Sequence, residues 1–324
     1  MIRLVSPATL RRLGILGMNG RNITYIGGNN PRRNYQLVDN KLLTKQAAIE
    51  RSIAVPELYG VIDHQFQIDG MLEQLEGRSA FVIKPVQGSG GKGILVITAR
   101  DGDRFIKSSG AVISAHDLRR HTSNILAGLH SLGGRNDFAM IEALIDFNPA
   151  LAEYSYEGVP DIRVIVFRGV PVMAMMRCAT HTSDGKANLH QGAVGVGIDI
   201  ATGRSIAAVQ KGSLVTHHPD TGACFKSLHL PDWEIILDLA ASCAEMSGLG
   251  YLGADIVLDR QRGPMLLELN ARPGLAIQVA NQEGLVHRLR IAEEIAASAP
   301  DHDARIRLAK EHFHVPQGAA IAPP

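Results

Sequence analysis

Residues 254–270 read ADIVLDRQRGPMLLELN, two apolar runs separated by a polar turn. A β-hairpin turning between Gln261 and Arg262 sets Asp255 opposite Glu268, Ile256 opposite Leu267 and Leu258 opposite Met265. Side chains alternate along a strand, so one face carries Ile256, Leu258, Met265, Leu267 and Leu269, while the other gathers Asp255, Glu268 and Asn270 at one end. Two facing carboxylates repel unless a cation or a proton lies between them. A small set of hard oxygen donors suits Mg2+ (or Mn2+) whose remaining positions are filled by water and nucleotide phosphate. An exposed polar face with a chance acidic pair is the alternative from these residues alone.

A second chemical signal lies at residues 81–93, FVIKPVQGSGGKG. Its GSGGKG matches GxGxxG, but a dinucleotide loop must run from a strand into a helix, and here ILVIT follows with no helical period. A Walker A loop fails too. Lys92 precedes Gly93 where a metal-binding Ser or Thr is required, and Val86 stands where the first glycine belongs. What remains is a flexible loop between antiparallel strands, Gly88, Ser89, Gly90, Gly91, Lys92 and Gly93, able to fold its backbone N–H groups over a triphosphate. Lys84 on the incoming strand would reach the phosphate oxygens. The alternative is a solvated hairpin tip, although four glycines in six residues cost backbone entropy that a plain turn does not need.

These residues need a scaffold, and the chain is long enough for two cores. It has 324 residues, 45% apolar and 20% charged, with a net charge of +1, an ordinary soluble composition without the long-range field a broad nucleic-acid or membrane-surface partner requires. Three scattered cysteines without CxxC imply free thiols in a reducing compartment. No signal-peptide-like apolar run opens the sequence, and nowhere do 18 apolar residues follow one another, so a cytoplasmic protein without membrane insertion is expected.

Strand and helix patterns interleave along the chain. The first 38 residues, with clustered Asn, Gly and Arg, predict turns with little core. Asp39 or Asn40 caps a helix over KLLTKQAAIERS, PELYGVI is extended, and Ser114 caps a helix ending at Gly133-Gly134. DIRVIVF and VPVMAMMRC form a hairpin. Residues 179–212 predict a mobile loop leading into weaker strands. PDWEIILDLAASCAEMSG predicts a helix stopping at Gly248, further helices close the chain, and HVPQGAAIAPP predicts a disordered tail. Short turns between strands favour antiparallel pairing, hence an α+β fold in two lobes.

Lys41 in DNKLLTKQAAIERSIAVPE, Lys84 before the glycine loop, then IEALI, DIR, NLHQG, GADI and LELNARPG follow one another in an order that resembles the ATP-grasp superfamily, most closely its alpha-L-glutamate ligase-like branch, related to the ribosomal-protein glutamate ligases. The resemblance covers residues 39–300. It implies ATP between two α+β lobes, the glycine loop serving as lid, with a short N-terminal segment (1–38), an N-terminal lobe (39–137), a C-terminal lobe carrying the metal site (138–300) and a closing helix and tail (301–324). By the same resemblance Lys41 and Lys84 contact phosphates, and Glu142, Ala143, Leu144 and Ile145 form the hinge at the adenine edge. Asp255, Glu268 and Asn270 hold the metal, and Arg163 with Arg177 meets the γ-phosphate or the substrate carboxylate. Asn188, His190 and Arg272 line the acceptor side.

Two departures from the pattern stand out: no full domain precedes the core in this sequence, and Gly253-Ala254 occupies the place where some ligases carry an arginine, leaving Arg272 or Arg163 to supply that charge. The implied activity is ATP-dependent ligation of a small-molecule or peptide carboxylate to an amine through an acylphosphate, releasing ADP and phosphate, with glutamate suggested by kinship. A small-molecule kinase and a non-catalytic ATP sensor are the rival readings, and homo-oligomerisation is left open.

Overall fold

FVIKP and LVITARD are rich in β-branched and aromatic residues, and both become strands of one antiparallel sheet. The computed structural model describes residues 5–88, 91–131, 133–299 and 301–316, so Ser89, Gly90 and the tail beyond residue 316 lie outside the described residues. The chain divides into two units, one formed by Asn40–Gln46 with Val55–Asp146, the other by Met1–Asp39, Ala47–Ala54 and Phe147–Pro324.

The smaller unit is a six-stranded sheet of β1 (Leu58–Ile62), β2 (Phe81–Pro85), β3 (Leu95–Asp101), β4 (Arg104–Lys107), β5 (Val112–Ser114) and β6 (Ala139–Ala143), ordered β1-β6-β2-β3-β4-β5. Ser114 starts the helix Ala115–Leu126 through a capping box with Asp117, satisfying two N–H groups that no helical carbonyl reaches. Its Leu118 and Ile125 enter a core with Phe81, Ile83, Ile97, Phe105 and Ile141. Burying each phenylalanine there contributes on the order of 2–3 kcal/mol. The helix ends at Leu126, before the expected Gly133-Gly134, because the chain turns left-handed at Gly128 (φ +80°), where a side chain would strike the Arg135 carbonyl.

The larger unit holds a seven-stranded antiparallel sheet of β7 (Asp161–Phe167), β8 (Val170–Cys178), β9 (Val194–Ile198), β10 (Ser205–Gln210), β11 (Ser213–Val215), β12 (Tyr251–Asp259) and β13 (Gly263–Asn270), ordered β11-β10-β9-β8-β7-β12-β13. β7 and β12 are buried along their full length. The helices Trp233–Ser247, Leu285–Ser298 and His302–His312 pack on the sheet, and the first stops at Gly248 in the left-handed conformation, as its sequence predicts.

Three further expectations need correction. The first 38 residues are largely helical, with Pro7–Arg12 followed by three abutting pieces, Met18–Gly20, the π-helical Arg21–Ile26 and Gly27–Asn29. Tertiary contacts override their turn-rich composition: Leu16 exchanges backbone hydrogen bonds with the Gln278 amide, and Asn30 bonds both the N–H and the carbonyl of Tyr251. Residues 179–212 are not an open loop, for β9 is buried along its length and pairs with both β8 and β10. The hairpin β12–β13 has the expected pairing only up to Asp255–Glu268. A β-bulge follows, so that Ile256 faces Leu266 and Val257 faces Met265, and Leu267 leaves the core face to which strict alternation assigns it.

Gly195 and Gly197 let the short helix Ile277–Asn281 lie directly on β9; a Cβ at Gly197 would run into the Ala280 carbonyl oxygen. Gly197→Ala is therefore expected to cost about 2 kcal/mol of stability, measured by urea denaturation, whereas Gly212→Ala, where nothing lies within 4 Å, carries only the strain of its positive φ.

Candidate active site

In the smaller unit the chemistry centres on Glu142 of β6, whose side chain is buried. One of its carboxylate oxygens takes an ion pair from Lys84 of β2 and the other lies 3.0 Å from Lys45 Nζ. Lys45 also donates to the Pro56 carbonyl. Burial pushes the Glu142 carboxyl up, but Lys84 and then Lys45 outweigh it and hold it below the usual carboxylate range. Burial lowers Lys45, with Glu142 opposing.

Lys41, one helical turn before Lys45, donates to the Gly88 carbonyl at 2.5 Å. The expected phosphate lysines Lys41 and Lys84 thus lie in one unit with the glycine loop. Lys45 was missed, though its spacing of four from Lys41 on a helix was the available signal.

Both stems of the glycine loop are anchored. Asp137 accepts the Gln87 N–H with both oxygens at 3.0 Å, and the Val86 N–H donates to the Phe138 carbonyl. On the returning side His121 donates Nε2–H to the Gly93 carbonyl at 3.0 Å, while the His130 ring fills the space where a Gly93 side chain would go. Lys92 is exposed. Ala143 N–H bonds the Glu57 carbonyl, and Leu144 and Ile145 follow β6, half-buried. The Glu142 side chain is committed to the two lysines.

In the larger unit the polar face of three neighbouring strands forms a second cluster. Asp161 of β7 pairs with Arg177 of β8, and Arg163 of β7 with Asp255 of β12. Because Asp161 and Arg163 are two residues apart, all four side chains share a face. A bulge in β7–β8 sets Arg163 opposite Met175, not Met176 as a simple two-residue turn requires, yet both arginines still converge.

Arg163 grips Asp255 with two bonds, Nε–Oδ1 at 2.7 Å and Nη2–Oδ2 at 2.5 Å. Arg177 Nη2 reaches Asp255 Oδ2 at 2.8 Å and Asp161 Oδ2 at 2.6 Å. Burial opposes charge on Asp255, but Arg163 and then Arg177 bring its pKa down to about 2. Burial raises Asp161 to about 6 against the pull of Arg177, and Asp255 adds to the rise. Burial disfavours the charge on Arg177, but Asp161 and then Asp255 more than restore it. Asp161 was not singled out from sequence; its place two residues before Arg163 was the signal.

Glu268 stands opposite Asp255, as expected, and Asn270 Nδ2 bridges them, 3.1 Å from Asp255 Oδ2 and 3.5 Å from Glu268 Oε1. Two carboxylates and an amide on one face offer the hard oxygens a divalent cation needs, once the Asn270 amide turns its oxygen inward. The other expected residues lie elsewhere. The Arg272 guanidinium stacks on the Tyr35 ring at 4.8 Å, and the adjoining Pro273 carbonyl accepts from buried Arg21 at 2.8 Å, so the N-terminal segment braces the turn after Asn270. Asn188 caps the turn Leu189–Gln191 by accepting the His190 N–H, and His190 is exposed. Among the described residues neither hydrogen-bonds to the Arg163–Asp255 cluster. His218, next to His217, is a buried structural residue that donates to the Ala179 carbonyl.

A family model described as sugar-transfer associated ATP-grasp matches residues 20–294, and the chain belongs to that family. The match begins inside the N-terminal helical segment. Among solved structures, the ATP-grasp ligase PsnB complexed with minimal precursor is 14% identical with a TM-score of 0.45, covering 86% of this chain and 62% of that one. D-cycloserine synthetase DcsG is 13% identical with a TM-score of 0.45, covering 83% and 72%. D-alanine–D-alanine ligase from Bacillus anthracis complexed with ATP is 14% identical with a TM-score of 0.43, covering 86% and 69%. The chain thus spans less than two thirds of the PsnB chain. No curated protein matches it.

Glu142 supplies a check on the smaller unit. Its folded pKa is depressed, so its contribution to stability is present above the ordinary carboxylate range and is lost as pH falls through it. Glu142→Gln is expected to lower stability at neutral pH by about 3 kcal/mol, because it strands two buried ammonium groups. In thermal melts across pH the gap to the parent narrows on acidification, and a gap that stays constant would refute the charge pairing.

Proposed function

We propose that the protein is an ATP-dependent carboxylate–amine ligase, with glutamate or a glutamyl compound a candidate substrate on the sequence resemblance to the glutamate ligase-like branch. One observation carries this reading: the meeting of Asp255, Glu268 and Asn270 with two arginines on adjacent strands of an ATP-grasp chain. A non-catalytic nucleotide binder has no need to hold two arginines beside two carboxylates and an amide.

In this reading Lys41, Lys84 and the loop N–H groups of the smaller unit neutralise and orient the nucleotide phosphates. Asp255, Glu268 and Asn270 would hold Mg2+, which, when bound, spreads charge over the transferring phosphoryl group. Asp255 is engaged by Arg163 and Arg177 in this structure, so ligation there frees guanidinium donors. Those donors then face the γ-phosphate or the substrate carboxylate, an exchange of one anion for another without unpaired charge.

The substrate carboxylate attacks the γ-phosphorus, giving an acylphosphate and ADP. An amine next adds to the acyl carbon, phosphate leaves and an amide forms. The chain's part is positioning and charge stabilisation, with no covalent nucleophile required.

The test is an ADP-release screen with pairs of amino acids and short peptides, followed by mass analysis of products. An amide product that depends on both partners is expected. A stable phosphorylated product without amide would reassign the protein as a kinase, and no turnover with any pair, alongside intact ATP binding, would reassign it as a sensor. Once a productive pair is found, Glu268→Gln is expected to lower kcat about 100-fold and to shift the Mg2+ dependence to higher concentration. Unchanged Mg2+ dependence would remove Glu268 from the metal set.

A further inference from the structure

Residues 1–38 contain six arginines and not one aspartate or glutamate, which leaves 27 of the 33 basic residues against all 32 acidic ones in the rest of the chain. A nearly neutral protein is thus polar in its charge distribution, with a basic N-terminal segment on a mildly acidic body.

The segment is held firmly on the larger unit. Gly14, Leu16, Arg21, Ile26 and Asn30 are buried, and they are tied by Val286 N–H to the Gly14 carbonyl, by the Gln278 amide to Leu16, by Arg21 to Pro273 and by Asn30 to Tyr251. Besides neutral polar residues such as Asn19, Asn22, Thr24 and Gln36, two kinds of side chain are exposed on the segment. Arg11, Arg12, Arg32 and Arg33 are exposed, and among the described residues none of them pairs with a carboxylate. Val5, Leu10, Leu13, Ile15, Met18 and Ile23 are exposed aliphatics, with Met18 at 67% and Ile23 at 75%, and these six are drawn from only fifteen exposed large hydrophobics among the described residues.

We infer that this outward face docks on an anionic lipid surface. Exposed apolar side chains and guanidiniums carried by one short segment match the two layers of a bilayer interface, acyl boundary and negatively charged headgroup. The aliphatics come from helix ends and an extended stretch and do not form one helical stripe, which suits a fluid surface better than a peptide groove. The segment itself carries no acidic side chain, and Glu293, which lies near Tyr25, is paired with Arg168. No helix of the described chain is long and apolar enough to cross a membrane, so the contact is peripheral.

The experiment is co-sedimentation of the full chain with vesicles of phosphatidylcholine alone and of phosphatidylcholine containing about 30% phosphatidylglycerol. Partition to the anionic vesicles only, weakened by salt, is expected. The double variant R32Q/R33Q should bind about 25-fold more weakly, at about fivefold for each arginine, and M18S/I23S should bind more weakly without losing salt sensitivity. Circular dichroism and melting temperature verify that both variants remain folded. Equal binding to both vesicle types, no binding to either, or binding unchanged in R32Q/R33Q overturns the inference. Retention on immobilised polyglutamate with no vesicle binding also overturns it and assigns the face to an acidic protein.

Discussion

A carboxylate without solvent is costly unless positive charge comes with it, and Asp255 meets that condition by taking two arginines at once. The requirement organises the central strands of the larger sheet. Arg163 must sit directly across β7–β12, Arg177 must reach over from β8, and Asp161 must keep Arg177 in place. Two arginines and two aspartates form a formally neutral set, with Glu268 opposite Asp255 at its edge. In the smaller unit Lys45 and Lys84 share the single charge of Glu142.

The stems of the glycine loop are held at fixed ends, by Asp137 and Phe138 on one side and by His121 and His130 on the other. The N-terminal segment plays a comparable part for the turn after Asn270, with Arg21 on the Pro273 carbonyl and Tyr35 beneath Arg272. Arg272 is thereby held by stacking, which limits how it could act on a substrate.

Local pattern carried far in this chain where the signal was alternation or capping. The pairing of Asp255 with Glu268, the antiparallel strands around the glycine loop, the Ser114 cap and the stop at Gly248 all follow from side-chain period, β-branching and glycine chemistry over a few residues. Pattern failed where distant parts of the chain decide. The N-terminal segment is helical because Gln278, Tyr251 and Pro273 supply partners its own composition does not reveal. β9 is covered by the helix of residues 277–281, which Gly197 admits, while Gly195 makes room for Leu189. The two bulges, after Asp255 and after Ile165, shift register by one residue, a change that a count of spacing passes over.

The sequence alone determined which residues could do chemistry and in what order they come, because residue type and short spacing are local properties. That was enough to single out Lys84, Asp255, Glu268 and Asn270 as candidates, while the family resemblance added Arg163, Arg177 and the ATP-grasp class as expectations. Only the tertiary structure decided that both arginines hold one aspartate, that Lys45 and Lys84 hold one glutamate, and that Asn188, His190 and Arg272 take up separate local bonds. Those outcomes depend on which strands lie side by side. Hairpin neighbours are local, but the adjacency of β7 with β12 and of β2 with β6 joins distant parts of the chain, and no local stretch of sequence encodes it.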